Sequence, residues 1–264
     1  MGVRGAAIAT VISRIAELII LVSMTYIKKY APAGRLRELF SFDLIYAGRF
    51  FRIALPVIVN EMLWSLGVTC QNIIFARTST EAIAAFNITS TIYMLTWVLF
   101  VGLGNSVAVM IGKKIGERDE QTARDYASRI IRFSPLMGIA AAVLLYPISL
   151  ILPFIFNVNP ETLLTASRLF IIFCCIYPFR AFNNTLIIGI CRAGGDTLFC
   201  AIYESVTMWL FALPLAALAA FVLRAPVWLI FICMMSEHPV KAAIGFLRYR
   251  SGKWLHYVTE SKTD

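Results

Sequence analysis

Polar positions are sparse along most of this chain, and long apolar runs alternate with short basic connectors. The runs cover Val3–Ile27, Ile53–Ala76, Ile83–Ile111, Phe133–Phe156, Ala166–Ile190, Leu198–Val222 and Val227–Leu247. Each has roughly 20 or more residues, enough to cross a ~30 Å hydrocarbon core as a helix. Lipid offers the backbone no hydrogen-bond partners, so such runs must close their bonds within helices. The pattern therefore predicts an all-α fold, a polytopic membrane bundle of about seven transmembrane helices. Pro56, Pro135, Pro178, Pro214 and Pro239 fall within these runs, where membrane helices tolerate kinks.

Composition agrees: 59% of residues are hydrophobic, 15% are charged and the mean hydropathy is +0.77. A soluble domain carries far more charge. The net charge of +9 admits a nucleic-acid partner in principle, but the distribution of the bases excludes it. One connector carries Lys28, Lys29, Arg35, Arg37, Arg49 and Arg52, and another Lys113, Lys114, Arg118, Arg124, Arg129 and Arg132. With Arg192, Arg248, Arg250, Lys253 and Lys262, about seventeen bases fall on one side of the predicted bundle. Only Arg77, Arg168 and Arg224 fall on the other. The positive-inside rule makes the crowded side cytoplasmic and puts the C-terminus there, in a multi-pass protein of the plasma membrane. Leu36, Leu39, Phe40 and Leu44 recur at helical spacing, as do Ala123, Tyr126, Ala127, Ile130 and Ile131. Both basic connectors are therefore expected to lie as amphipathic helices at the interface, with solvated loops the alternative.

An ionisable group at membrane depth is a functional candidate wherever a partner can be named. Glu61, about eight residues into the second run, is foremost; it reads as a proton or cation carboxylate or, alternatively, as half of a structural pair. Arg180, at similar depth in the fifth run, is its expected counter-charge, with Asn183 and Asn184 on the next turn. Asn60, Trp64, Gln71, Tyr93 and Met94 are candidates to line a polar cavity, with Asn87 and Asn105 beside them. Glu204 is expected to reach the interface. Arg14 with Glu17, and Glu237 with Lys241, have the spacing of intrahelical ion pairs, and His238 reads as a structural donor.

Enzymatic signatures are missing: there is no H-E-x-x-H, G-x-S-x-G, Walker loop or G-x-G-x-x-G opening a helix. Gly102-Leu103-Gly104 reads as close helix packing. The six cysteines lack metal-ligand spacing and read as small hydrophobes. The expectation is a non-enzyme without cofactors. The opening segment lacks the features of a cleavable signal peptide and reads like the interior of a longer protein.

Several strings point further. Gly102-Leu103-Gly104-Asn105-Ser106-Val107-Ala108-Val109-Met110-Ile111-Gly112, followed by Lys113 to Gly116 and Ala123-Arg124, resembles the eighth helix and following loop of MATE-family multidrug exporters. Arg192-Ala193-Gly194-Gly195-Asp196-Thr197 is similar to the family's motif after the tenth helix. Gly5-Ala6-Ala7-Ile8-Ala9-Thr10 resembles the start of its sixth, and Arg248-Tyr249-Arg250-Ser251-Gly252-Lys253-Trp254 its end.

The resemblance implies twelve helices in two six-helix lobes around a central cavity. It also implies export of organic cations or other amphipathic compounds, driven by Na⁺ or H⁺ through alternating access. Residues 1–27 would be the last helix of a first lobe missing from this chain, and 28–52 a cytoplasmic linker. Residues 53–250 would be the second lobe and 251–264 the tail. Glu61 matches a coupling glutamate found on the family's seventh helix. The aspartate that some members carry on the tenth helix is absent here, where Arg180, Asn183 and Asn184 stand instead; this favours a Glu61–Arg180 switch. Two alternatives stay open, a flippase for lipid-linked sugars and a truncated, non-transporting membrane subunit.

Overall fold

The computed structural model describes residues 2–29, 44–155 and 159–255. The chain divides into two compact units, Met1–Arg52 and Ile53–Asp264. In the first, α1 (Gly2–Ile27) is a continuous helix with its apolar side chains exposed and an Arg14–Glu17 ion pair at 2.8 Å, as its spacing predicts. The linker residues Leu36, Leu39 and Phe40 lie outside the described residues.

The second unit is built from α2 (Leu44–Thr78), which belongs to it from Ile53 onward, α3 (Thr80–Gly116), α4 (Glu120–Ile155) and α5 (Pro160–Asn184). A π-helical stretch, Thr185–Arg192, prolongs α5. Next come α6 (Thr197–Val206), a π-helical turn Thr207–Ala212, α7 (Leu213–Ala217) and a second such turn, Leu218–Val222. The chain ends in α8 (Val227–Met235) and α9 (Glu237–Arg250), which meet at a break at Ser236. The second unit is therefore a helical membrane bundle.

Among the described residues six helical stretches are long and apolar enough to cross a bilayer. The run expected at Ile53–Ala76 is not one of them, although its helix has 35 residues. Asn60, Glu61, Gln71 and Asn72 lower its hydropathy because that face of α2 lines a cavity. Ser79 separates α2 from α3, and its side chain caps α3 by accepting from the Ala82 amide at 3.0 Å.

The expected interfacial helix at Lys113–Arg132 is corrected. α3 runs to Gly116, a turn at 117–119 follows, and the amphipathic stretch forms the first turns of α4. Its apolar positions Ala123, Ala127 and Ile131 are buried against Val107, Ile111 and Leu186. The 3.6-residue periodicity is that of a helix, but the bundle, rather than the headgroups, takes the apolar face.

α5 is the central element, packing against α3, α4, α8 and α9. Its approach to α4 is close at Gly138, where a Cβ would stand 2.7 Å from the Pro178 Cα. Aromatic rings fill much of the core, with Phe75 stacked on Phe86 at 4.5 Å between centroids and Tyr177 edge-on to Phe100 at 5.2 Å. Of the glycines expected to pack helices closely, Gly104 meets Asn184 and Ile188 on α5 and its continuation, whereas Gly102 faces open space.

Candidate functional site

The stripes that form the site are set by helical spacing. On α2, Asn60, Glu61, Trp64, Val68 and Gln71 recur every three or four residues and so share one face. On α3, Asn87, Ser90, Tyr93, Met94 and Trp97 do the same. Between these faces and α5 with its continuation, α6, α8 and α9 lies a cavity of about 510 Å³. All nine predicted site residues line it: Asn60, Glu61, Trp64, Gln71, Tyr93, Met94, Arg180, Asn183 and Asn184.

Their partnerships differ from the expectation. Glu61 does not pair with Arg180. Its carboxylate accepts a hydrogen bond from Arg192 at 2.8 Å, and its side chain is 54% exposed. Glu61 stands level with the end of the α5 continuation, within reach of its last residue, Arg192. Glu204, expected at the interface, completes the group: it accepts from the Asn60 amide at 2.7 Å and lies 3.6 Å from Arg192. Two carboxylates therefore face one guanidinium.

Arg180 stands apart, over the face of Tyr93 at 4.1 Å from the ring centroid, with Trp97 at 5.4 Å and Phe173 at 5.6 Å. It also donates to the Tyr93 hydroxyl. Asn183 and Asn184 serve the backbone. The Asn183 amide donates to the His238 carbonyl at 2.9 Å beside the α8–α9 break, and that of Asn184 to the Phe100 carbonyl at 2.7 Å.

The pair predicted at Glu237 and Lys241 forms at 3.0 Å, with both side chains 6% exposed. His238 lies 3.8 Å from Glu237. Sequence reasoning gave these three no place in the site, yet all line the cavity, as do Arg192 and Glu204. Spacing within one helix reveals an ion pair, but no sequence signal shows that the pair faces a cavity. Among the described residues no group of three or more His, Cys, Asp or Glu could hold a metal ion.

The Arg192–Thr197 string forms a structural joint beside this site. Gly195 has φ +85°, a backbone conformation suited to glycine, and Asp196 accepts two hydrogen bonds from Arg248, at 2.7 and 2.9 Å. Trp254 is buried against the same turn, so Ser251–Leu255 folds back on the bundle.

The MatE family profile matches residues 56–235, the span that contains the α2, α3 and α5 walls of the cavity. The chain belongs to the MATE family. It is similar to the uncharacterized transporter YisQ of Bacillus subtilis, 26% identical over 257 residues, covering 97% of this chain and 56% of the relative. A probable multidrug resistance protein, NorM of Thermotoga maritima, is 23% identical over 255 residues, covering 96% and 54%. The fold is similar to that of a MATE transporter solved in complex with MaL6, with a TM-score of 0.78 at 18% identity, covering 95% and 56%. This MATE chain spans about half the length of the curated relatives it matches.

Proposed function

We propose that the complete protein exports amphipathic compounds, organic cations among them, in exchange for Na⁺ or protons by alternating access. This chain would supply the last helix of the first lobe and the whole second lobe. The carrying observation is the Glu61–Arg192–Glu204 cluster, with Asn60 on Glu204, in the wall of a cavity of about 510 Å³. A cluster in which two carboxylates face one guanidinium attracts a proton, a metal cation or a cationic substrate, and only one of them at a time. Mutual exclusion at one acidic group is the elementary requirement of antiport. Trp64, Tyr93, Trp97 and Met94 offer flat and polarizable contacts for varied apolar bodies. The non-enzyme reading follows from this role, in which nothing is made or broken covalently. A lipid-linked sugar flippase needs several unpaired bases for pyrophosphate. The cavity has three, of which Arg192 and Lys241 are tied to carboxylates.

The test is efflux from vesicles containing the complete transporter, with Na⁺ and H⁺ gradients imposed separately. One gradient should drive export. Glu61→Gln leaves one carboxylate against one guanidinium and should abolish driven export with expression intact. Undiminished export by that variant removes the coupling role.

A further inference from the structure

We propose that a lipid-facing groove between α5 and α8 binds an anionic phospholipid, with its phosphate on Arg168 and an acyl chain along the groove. The groove, of about 440 Å³, is lined by Arg168, Ile171 and Ile172 on α5 and by Trp228 and Ile232 on α8. It is separate from the central cavity. At about 100° per residue, its face of α5 lies roughly 120° around the helix from Phe173 and Arg180, which line the cavity. Arg168, Ile171, Trp228 and Ile232 are exposed, and both helices belong to membrane spans, so the bilayer is what covers this face.

Two independent markers set the depth of the groove. The span made by α5 and its continuation has 33 residues, about 50 Å, or about 20 Å more than the hydrocarbon core. Centred in the bilayer, it projects about 10 Å at each end. Arg168 lies eight residues after Pro160, about 12 Å along the axis, and so at the edge of the hydrocarbon. On the neighbouring helix, Trp228 is the second residue of α8. Tryptophan collects at this membrane–water boundary. Ile171, Ile172 and Ile232 each lie about one turn deeper. The groove thus has a polar mouth at the headgroups and an apolar floor among the acyl chains.

The charge at the mouth is unbalanced. Among the described residues Arg168 has no carboxylate within 4.0 Å and no hydrogen-bond acceptor, and the Trp228 indole N–H has none either. A guanidinium stays charged at working pH and presents a fork that matches two phosphate oxygens. Arg224, in the connector that leads into α8, adds a second positive charge at this rim. The acid on this face of α5, Glu161, stands seven residues from Arg168, about 10 Å. A choline or ethanolamine ammonium, two carbons from its phosphate, would meet the bases and fall short of that carboxylate. A headgroup of net negative charge meets only bases. The indole N–H is placed to donate to an ester carbonyl of the same lipid.

The test is native mass spectrometry of the purified complete transporter, delipidated and titrated with phosphatidylglycerol or with phosphatidylcholine of the same acyl chains. The first phosphatidylglycerol should bind at least about tenfold more tightly than the first phosphatidylcholine. Arg168→Gln should erase that preference, and Arg168→Lys, which keeps the charge, should retain part of it. Ile232→Trp, which fills the groove, should weaken the first phosphatidylglycerol by about tenfold. Equal binding of the two lipids by wild type, an undiminished preference in Arg168→Gln, or its complete loss in Arg168→Lys overturns the assignment. Unchanged binding by Ile232→Trp does the same, as does displacement of the lipid by excess inorganic phosphate, which marks a site for free anions. None of these outcomes bears on export, which rests on the central cavity.

Discussion

At the residue scale, the ionisable groups sort by how they are balanced. Glu237 and Lys241 are one turn apart, both nearly fully buried and mutually neutralised. Breaking such a pair strands a buried charge, whereas replacing both members leaves an apolar wall. Lys241→Met should therefore destabilise the protein by about 3 kcal/mol, and Glu237→Leu with Lys241→Met by far less. Thermal unfolding of the purified transporter separates the two outcomes. The 3.0 Å pair was legible in the sequence because i,i+4 spacing puts both residues on one helix face. The Glu61–Arg192 contact was not, because it joins residues 131 positions apart and several bases could have served.

At the element scale, the close approach of α4 to α5 depends on Gly138. A Cβ there would press on the backbone of Pro178, which has no freedom to move aside. Gly138→Ala should cost about 1–3 kcal/mol through strain, visible as a lowered melting temperature. The turn before α4 has its own device. Asp119 accepts from the Thr122 amide at 3.1 Å, and hydrogen bonds from Thr122 hold its carboxyl below the usual carboxylate value. A carboxyl whose folded value is depressed stabilises fully above its unfolded value of about 3.9 and loses that contribution as pH falls through the folded one. Protection of the first α4 amides should therefore fall in that acidic window, and Asp119→Asn, which still caps but does not titrate, should lack the dependence. Hydrogen exchange as a function of pH reads this directly. In the sequence this α4 start reads as an interfacial helix, because a 3.6-residue apolar stripe looks the same against lipid headgroups as against a bundle.

At the scale of the molecule, orientation follows from where the bases lie relative to the spans. The turn at 117–119 follows one basic stretch, and Arg224 lies in the sparse connector between the last two spans. In a cysteine-free version of the complete transporter, a cysteine at Arg118 should react with an impermeant maleimide only from the cytoplasmic side. One at Arg224 should react only from the opposite side. Reversed labelling would contradict the C-terminal placement.

The sequence by itself determined the helical bundle and part of its cavity wall, though not the places of Arg192, Glu204, Glu237, His238 and Lys241 in it. Apolar run length and helical periodicity are local properties, and they act before any two helices meet. The polar stripe on α2, with Tyr93 and Met94 on α3 and Arg180 on α5, could be found on that basis. Only the tertiary structure decided which charge answers which. The choice depends on the axial offset between helices, which sets Glu61 beside Arg192 rather than Arg180. Charge attraction falls with distance through packing that no single helix contains, so the lone Arg180 and the shared Arg192 emerge only once the helices are assembled.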